Sequence, residues 1–102
     1  MNGMYILEVL SGPHDGKTWP FEHEITIGRD DAVAGACITL DRYISRRHAV
    51  VRADGERLLL ADLESRNGTR LVGDASVTTD TVLEPGVRFI IGRTLLRVRA
   101  AE

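Results

Sequence analysis

The sequence predicts an all-β fold, a sandwich of two sheets, and three observations carry that reading. Apolar residues recur with a period of two, no segment keeps a helical stripe for three turns, and turn signals interrupt the chain at short, regular intervals. In Tyr5-Ile6-Leu7-Glu8-Val9 the face carrying Tyr5, Leu7 and Val9 is apolar while Glu8 looks outward, and Glu24-Ile25-Thr26-Ile27 alternates in the same way. Thr18–Phe21, Ile38–Leu40, Ala49–Ala53, Leu58–Ala61, Thr69–Leu71, Val87–Ile91 and Thr94–Arg99 supply the further strands. Gly12-Pro13-His14-Asp15-Gly16 joins the first two strands, and Asp54-Gly55 sits in a hairpin position. Pro85-Gly86 precedes a strand that ends at Gly92, where the last hairpin begins. Ile27-Gly28-Arg29 recurs as Ile91-Gly92-Arg93, but nothing around the two copies matches, so Gly92 reads as a hairpin residue with Arg93 exposed.

A length of 102 residues fits one domain spanning 1–102. With 43% hydrophobic and 27% charged residues the chain has the composition of a globular protein rather than a disordered one. A formal charge of −2 argues against sequence-blind nucleic-acid binding, which depends on an excess of Lys and Arg, so any anion site must be local. Of the 13 basic residues only Lys17 is lysine, a bias that suits bidentate phosphate recognition and that codon usage in a GC-rich genome would also give. The single cysteine, Cys37, rules out an internal disulfide and a cysteine-rich zinc site, and reads as a small buried hydrophobe. No apolar run approaches the roughly 20 residues that cross a bilayer, and the N-terminus lacks a secretory pattern. The expectation is a cytoplasmic protein with no membrane or nucleic-acid partner and no cofactor.

Three polar segments punctuate the strands: Gly28-Arg29, Ser45-Arg46-Arg47-His48 and Ser65-Arg66-Asn67-Gly68-Thr69. Placed at the loop end of a sandwich, they supply guanidinium groups, a hydroxyl, a carboxamide and turn amides, which is equipment for holding a phosphate. Arg29 would project from the rim after the turn at Gly28, unless it pairs with Asp30, Asp31 or Asp41. Ser45 and Arg46 offer a hydroxyl donor beside a second guanidinium, where the alternative is a serine capping a polar turn. His48 follows Ser45 by three residues, but no orienting carboxylate or serine elbow supports a nucleophile pair, and it leads into an apolar strand. It is expected to be a partly buried ring holding adjacent loops together. Asn67-Gly68 has the chemistry of a turn with positive φ, and the Asn67 carboxamide can also read the main chain of an extended peptide. Arg66 adds charge beside it or is simply solvated.

These residues, in the order Gly28-Arg29, Ser45-Arg46-Arg47-His48-Ala49 and Asp62-Leu63-Glu64-Ser65-Arg66-Asn67-Gly68-Thr69, resemble the forkhead-associated (FHA) domain over almost the whole chain. The resemblance implies a β-sandwich of about eleven strands in two twisted, antiparallel-rich sheets, with a phosphothreonine-containing protein segment as ligand. By similarity Arg29, Ser45, Arg46 and Arg66 would contact the phosphate or line its site, and Asn67 would bond the peptide main chain. Gly28, His48 and Gly68 would set loop geometry. The residue three positions after the phosphothreonine would be read by the loops around Arg70–Ala75 and Gly92–Thr94. Two turns depart from the family pattern: Val72-Gly73 stands where Asn-Gly is common, and Gly86-Val87 where Gly-Asp is common.

The function expected on this reading is a phosphothreonine-dependent interaction module that docks a kinase or a kinase substrate, monomer more readily than oligomer. The competing reading is a phosphate-independent scaffold or oligomerisation module that keeps the fold. An enzyme is not expected. His14, His23 and His48 are scattered, there is no cysteine cluster, and no Gly-rich loop runs into a helix, so no catalytic or metal site is assigned.

Overall fold

The computed structural model describes residues 4–73, 76, 77, 79–84 and 86–101, and among them the chain forms eleven strands and no helix. One sheet has the order β2-β1-β11-β10-β7-β8, from β1 (Tyr5–Ser11), β2 (Thr18–Phe21), β7 (Thr69–Leu71), β8 (Ser76–Val77), β10 (Arg88–Ile91) and β11 (Thr94–Ala100). The other has the order β4-β3-β5-β6-β9, from β3 (Glu24–Gly28), β4 (Ala36–Cys37), β5 (Ala49–Asp54), β6 (Arg57–Asp62) and β9 (Thr81–Val82). Only β3 and β4 run parallel; every other described pairing is antiparallel.

The alternation read from the sequence decides which residues meet between the sheets. Leu7 and Val9 on β1, Phe89 and Ile91 on β10, and Leu96 and Val98 on β11 are buried in one core with Ile25, Ile27, Val51 and Leu60 of the opposing sheet. Each such side chain stabilises the sandwich by roughly 1.5–3 kcal/mol relative to exposure. The β5–β6 hairpin closes through the pair Asp54 and Arg57 around Gly55-Glu56, with Gly55 at φ 64°. Gly92, at φ 60°, closes the β10–β11 hairpin between the paired Ile91 and Thr94.

Three expectations need correction. Ile38–Leu40 is not a strand: β4 lies at Ala36–Cys37, and Thr39 and Leu40 form a turn. Ile38 is buried and its amide bonds the Gly28 carbonyl at 2.8 Å, but the Leu40 amide donates to His14 Nε2 at 3.2 Å, which turns the chain outward. The two-residue strands β8 and β9 were not expected, because two residues carry no periodicity. Cys37 is half-buried rather than buried; its thiol lies 3.4 Å from the Arg29 carbonyl, and burial followed by the charges of Asp31 and Asp30 pushes its pKa up. Asp74 and Ala75 of the Arg70–Ala75 loop, and Pro85, lie outside the described residues.

Candidate functional site

Gly28 ends β3 where the chain must pass beneath the β4–β5 loop. A Cβ built on Gly28 would stand 2.0 Å from the Arg46 carbonyl oxygen. That oxygen accepts the Arg29 amide at 3.1 Å, and the Ser45 carbonyl accepts the same amide at 3.1 Å. The requirement at Gly28 is therefore space for a crossing backbone, not the turn conformation that the sequence suggested. The contact fixes Ser45 and Arg46 directly above the root of Arg29.

His48 ties the second segment to the third. Its ring is fully buried; Nδ1 accepts the Ser45 amide at 3.0 Å, so Nε2 carries the proton and donates to the Gly68 carbonyl at 2.9 Å. Burial lowers its pKa, opposed by the Gly68 bond and by the charges of Asp62 and Asp41. The neutral ring is the folded form. Because the unfolded chain, with an ordinary histidine pKa near 6.5, takes up the proton more readily, stability is expected to be full above about pH 6.5 and to fall as the pH drops below it. Urea midpoints measured at neutral pH and near pH 5 check this, and His48→Gln should remove that component of the slope.

On the other side of Gly68, Asp62 organises the β6–β7 loop. It accepts the Ser65 hydroxyl, the Ser65 amide at 3.0 Å and the Thr69 hydroxyl at 2.8 Å, and the Ser65 hydroxyl in turn accepts the Gly68 amide at 2.9 Å. Burial raises the Asp62 pKa, but these bonds outweigh it and hold the carboxyl below its usual range. Glu64 at φ 59° and Gly68 at φ 86° supply the two left-handed residues of the loop.

Asp41 locks the β4–β5 loop to the β10–β11 turn. It is 2% exposed and accepts the Tyr43 amide at 3.0 Å, the Arg93 amide at 2.8 Å and the Thr94 hydroxyl at 2.6 Å. Arg93 then stacks on the Tyr43 ring, its Cζ 4.5 Å from the centroid, and donates to the Tyr43 hydroxyl at 3.2 Å. The sequence offers Asp41 only as an ion-pair partner of Arg29. Two of its three partners, on Arg93 and Thr94, lie about fifty residues away along the chain, and no local pattern announces them.

These supports bring Arg29, Ser45, Arg46, Arg66 and Asn67 to one cleft of about 310 Å³, lined also by Arg42, Tyr43 and Ile44. Arg29 Nε donates to the Ile44 carbonyl at 2.9 Å, which steadies the guanidinium and leaves its two terminal nitrogens for a ligand. Ser45 Oγ accepts the Arg66 amide at 2.9 Å, so the hydroxyl proton remains available to donate. Asn67 Nδ2 donates to the Tyr43 carbonyl at 2.9 Å, which joins the two loops and leaves the carboxamide oxygen as an acceptor. Among the described residues no carboxylate lies within ion-pairing distance of Arg29, Arg42, Arg46 or Arg66. Arg42 and Tyr43 were given no site role in the sequence; their place just before Ile44-Ser45 is the signal that could have found them.

A second cleft, about 170 Å³, lies beside Tyr5, Leu58, Leu83 and Val98. Its two arginines stand among carboxylates, Arg57 at 3.6 Å from Asp54 and Arg99 at 3.3 Å from Glu8, with Glu56 and Glu84 also in the lining, so it lacks the anion-binding character of the first. Among the described residues no cluster of His, Cys, Asp and Glu could hold a metal ion, and no helix is long and apolar enough to cross a membrane.

Comparison with known proteins places this geometry in a family. The family model described as the inner membrane component of T3SS, cytoplasmic domain (Yop-YscD), matches residues 8–102. A search of curated proteins found no match. Among solved structures, the FHA domain of FhaA, complexed with the intracellular domain of Rv3910, is 33% identical, with 93% of this chain and 99% of that chain covered and a TM-score of 0.78. An FHA domain from a study of phosphothreonine-dependent FHA interactions is 32% identical, with 97% and 98% covered and a TM-score of 0.81. The cytoplasmic domain of the T3SS sorting platform protein PscD from P. aeruginosa shares the fold at 19% identity, with 96% and 81% covered and a TM-score of 0.81. The chain is thus an FHA domain, and it belongs to the family of cytoplasmic domains of T3SS inner membrane components.

Proposed function

We propose that this domain docks partner proteins through a phosphothreonine held by Arg29, Ser45, Arg46 and Arg66, with Asn67 bonding the peptide main chain beside it. The observation that carries the reading is the convergence of these side chains on one cleft with no described carboxylate to neutralise its arginines. The Arg29 terminal nitrogens and the Ser45 hydroxyl suit phosphate oxygens through charge-assisted bonds, which are about twice as strong as neutral ones. Subtracting the cost of ordering a short peptide leaves an affinity between about nanomolar and high micromolar. Gly28, His48 and Gly68 act through the loops they shape. The 32% identical FHA domain comes from a study of phosphothreonine-dependent interactions, and that of FhaA is complexed with an intracellular domain, which supports a cytoplasmic phosphoprotein as partner.

A second reading has its own support. The family match over residues 8–102 favours a docking element on the cytoplasmic side of a secretion-system inner membrane component, where the sandwich would bind without phosphate. Arg29→Ala separates the two. Against a degenerate phosphothreonine peptide library in fluorescence polarisation, the unmodified domain should bind phosphothreonine and ignore threonine. The variant should lose at least about a hundredfold in affinity, as removing a charge-assisted anchor from an anion site costs roughly 3 kcal/mol. Equal binding of phosphorylated and plain peptides, or an unaffected variant, would sink the phosphothreonine reading in favour of the second.

A further inference from the structure

The outer face of the six-stranded sheet is not the polar surface that a solvated sheet face presents. Reading the registers outward, Ile6 stands beside Arg99, Glu8 beside Arg97, Arg97 beside Arg88, and Leu95 beside Ile90, which faces Arg70 on β7. The inward partners of these positions are the buried Leu7, Phe89, Leu96 and Val98, so the alternation fixes this set on the outside. The face thus combines half-exposed aliphatic side chains with four arginines, and Glu8 is the one carboxylate among the positions named.

Its electrostatics are unfavourable in the free protein. Arg88 and Arg97 are direct cross-strand neighbours, and like charges in that position destabilise a sheet. Glu8 bonds Arg97 at 3.0 Å and Arg99 at 3.3 Å, which lowers its pKa chiefly through the Arg97 bond. Among the described residues Arg88 has no carboxylate within reach. A second copy of this face would add arginines to arginines, so self-association through it is disfavoured.

We propose that this face is a second docking surface, independent of phosphate, for a protein segment that interleaves aliphatic and acidic side chains. Charge complementarity sets the acidic character, and Ile6, Ile90 and Leu95 set the aliphatic character. A protein segment fits better than an anionic bilayer because the aliphatic side chains are shorter than the arginines around them. A flat lipid surface would meet the guanidinium groups alone, whereas a projecting leucine reaches between them. The surface adjoins the phosphate cleft, since Ile90 and Leu95 pair across the strands on either side of the β10–β11 turn whose Arg93 holds Tyr43, so one partner can engage both.

The test is titration of the isotopically labelled domain with a short amphipathic peptide of Leu, Glu and Ala, unphosphorylated, with a control in which Lys replaces Glu. Amide signals of β1, β10 and β11 should move saturably with the Glu peptide and stay still with the Lys peptide, while those of Ser45–Arg46 and Arg66–Asn67 are unaffected. Arg88→Glu provides the second readout. It should weaken peptide binding at least tenfold and, by placing a carboxylate opposite Arg97, leave Tm unchanged or raise it by about 1–5 °C. Absence of saturable shifts overturns the proposal. So do shifts confined to the loops, an Arg88→Glu variant that binds as before, or the same amides responding to phosphatidylglycerol vesicles but not to the peptide. Because the probe carries no phosphate, each outcome is separate from the fate of the phosphothreonine reading.

Discussion

Replacing Asp41 with alanine is expected to destabilise the domain by about 3–5 kcal/mol, among the largest losses a single substitution can cause here. The carboxylate is 2% exposed and satisfies three donors from two distant parts of the chain. Removing it strands the Thr94 hydroxyl, itself fully buried, together with the amides of Arg93 and Tyr43. A buried donor left without a partner costs about 1–3 kcal/mol, against about 5–15 kcal/mol of stability for the whole domain. In a chain of this size the loss corresponds to a fall in Tm of well over 10 °C. Asp41→Asn refines the argument. One oxygen can still take Arg93 and Thr94, but the new amide then faces the Tyr43 N–H, so the loss should be intermediate. Urea denaturation of the two variants checks the order. A loss below about 1 kcal/mol for Asp41→Ala would mean that the two loops are held together by other contacts.

The fold was legible because its signal is local and repeated. Tyr5–Val9 of β1 alternate, and Asp54-Gly55 and Gly92-Arg93 announce their hairpins by residue type alone. The strands that escaped, β8 and β9, are two residues long and owe their pairing to neighbours. Ile38–Leu40 misled for the opposite reason: its alternation is real, but a histidine from the β1–β2 loop bonds the Leu40 amide and bends the chain. At the candidate site, the side chains that meet in the cleft were readable, since Arg29, Ser45, Arg46 and Asn67 stand in compact polar runs. What holds them was less so. The distance between Ser45 and Gly68 in sequence hides the histidine that joins them, although the position of His48 before an apolar strand suggested it. Asp41 gave no such hint, because a buried aspartate and an exposed one look alike in a list of letters.

Gly28→Ala is the substitution expected to disable the proposed phosphothreonine site without touching any of its proposed ligand contacts. The added methyl would stand 2.0 Å from the Arg46 carbonyl oxygen and 2.8 Å from its carbon, far inside contact distance. Neither side yields easily. The Arg46 oxygen is bonded by the amides of Arg29 and Asp30 at 3.1 and 3.4 Å, and Gly28 is itself held in register with Cys37. Relief must come from lifting the β4–β5 loop, which carries Ser45 and Arg46 away from Arg29. Overpacking of this kind costs about 1–3 kcal/mol in stability, so the variant should still fold. On the phosphothreonine reading, peptide affinity should fall further than stability, by a factor of roughly a hundred, because a misplacement of about 1 Å spoils several charge-assisted bonds at once. Gly68→Ala is the contrast. Gly68 has open space where a Cβ would go, and its need is conformational, at φ 86°. Its loss should be confined to about 1–2 kcal/mol of strain, with the cleft largely in place. Measuring peptide affinity and urea midpoint for both separates the two roles of glycine. If the two variants lose affinity in proportion to stability alike, the Gly28–Arg46 crossing is not what positions the site.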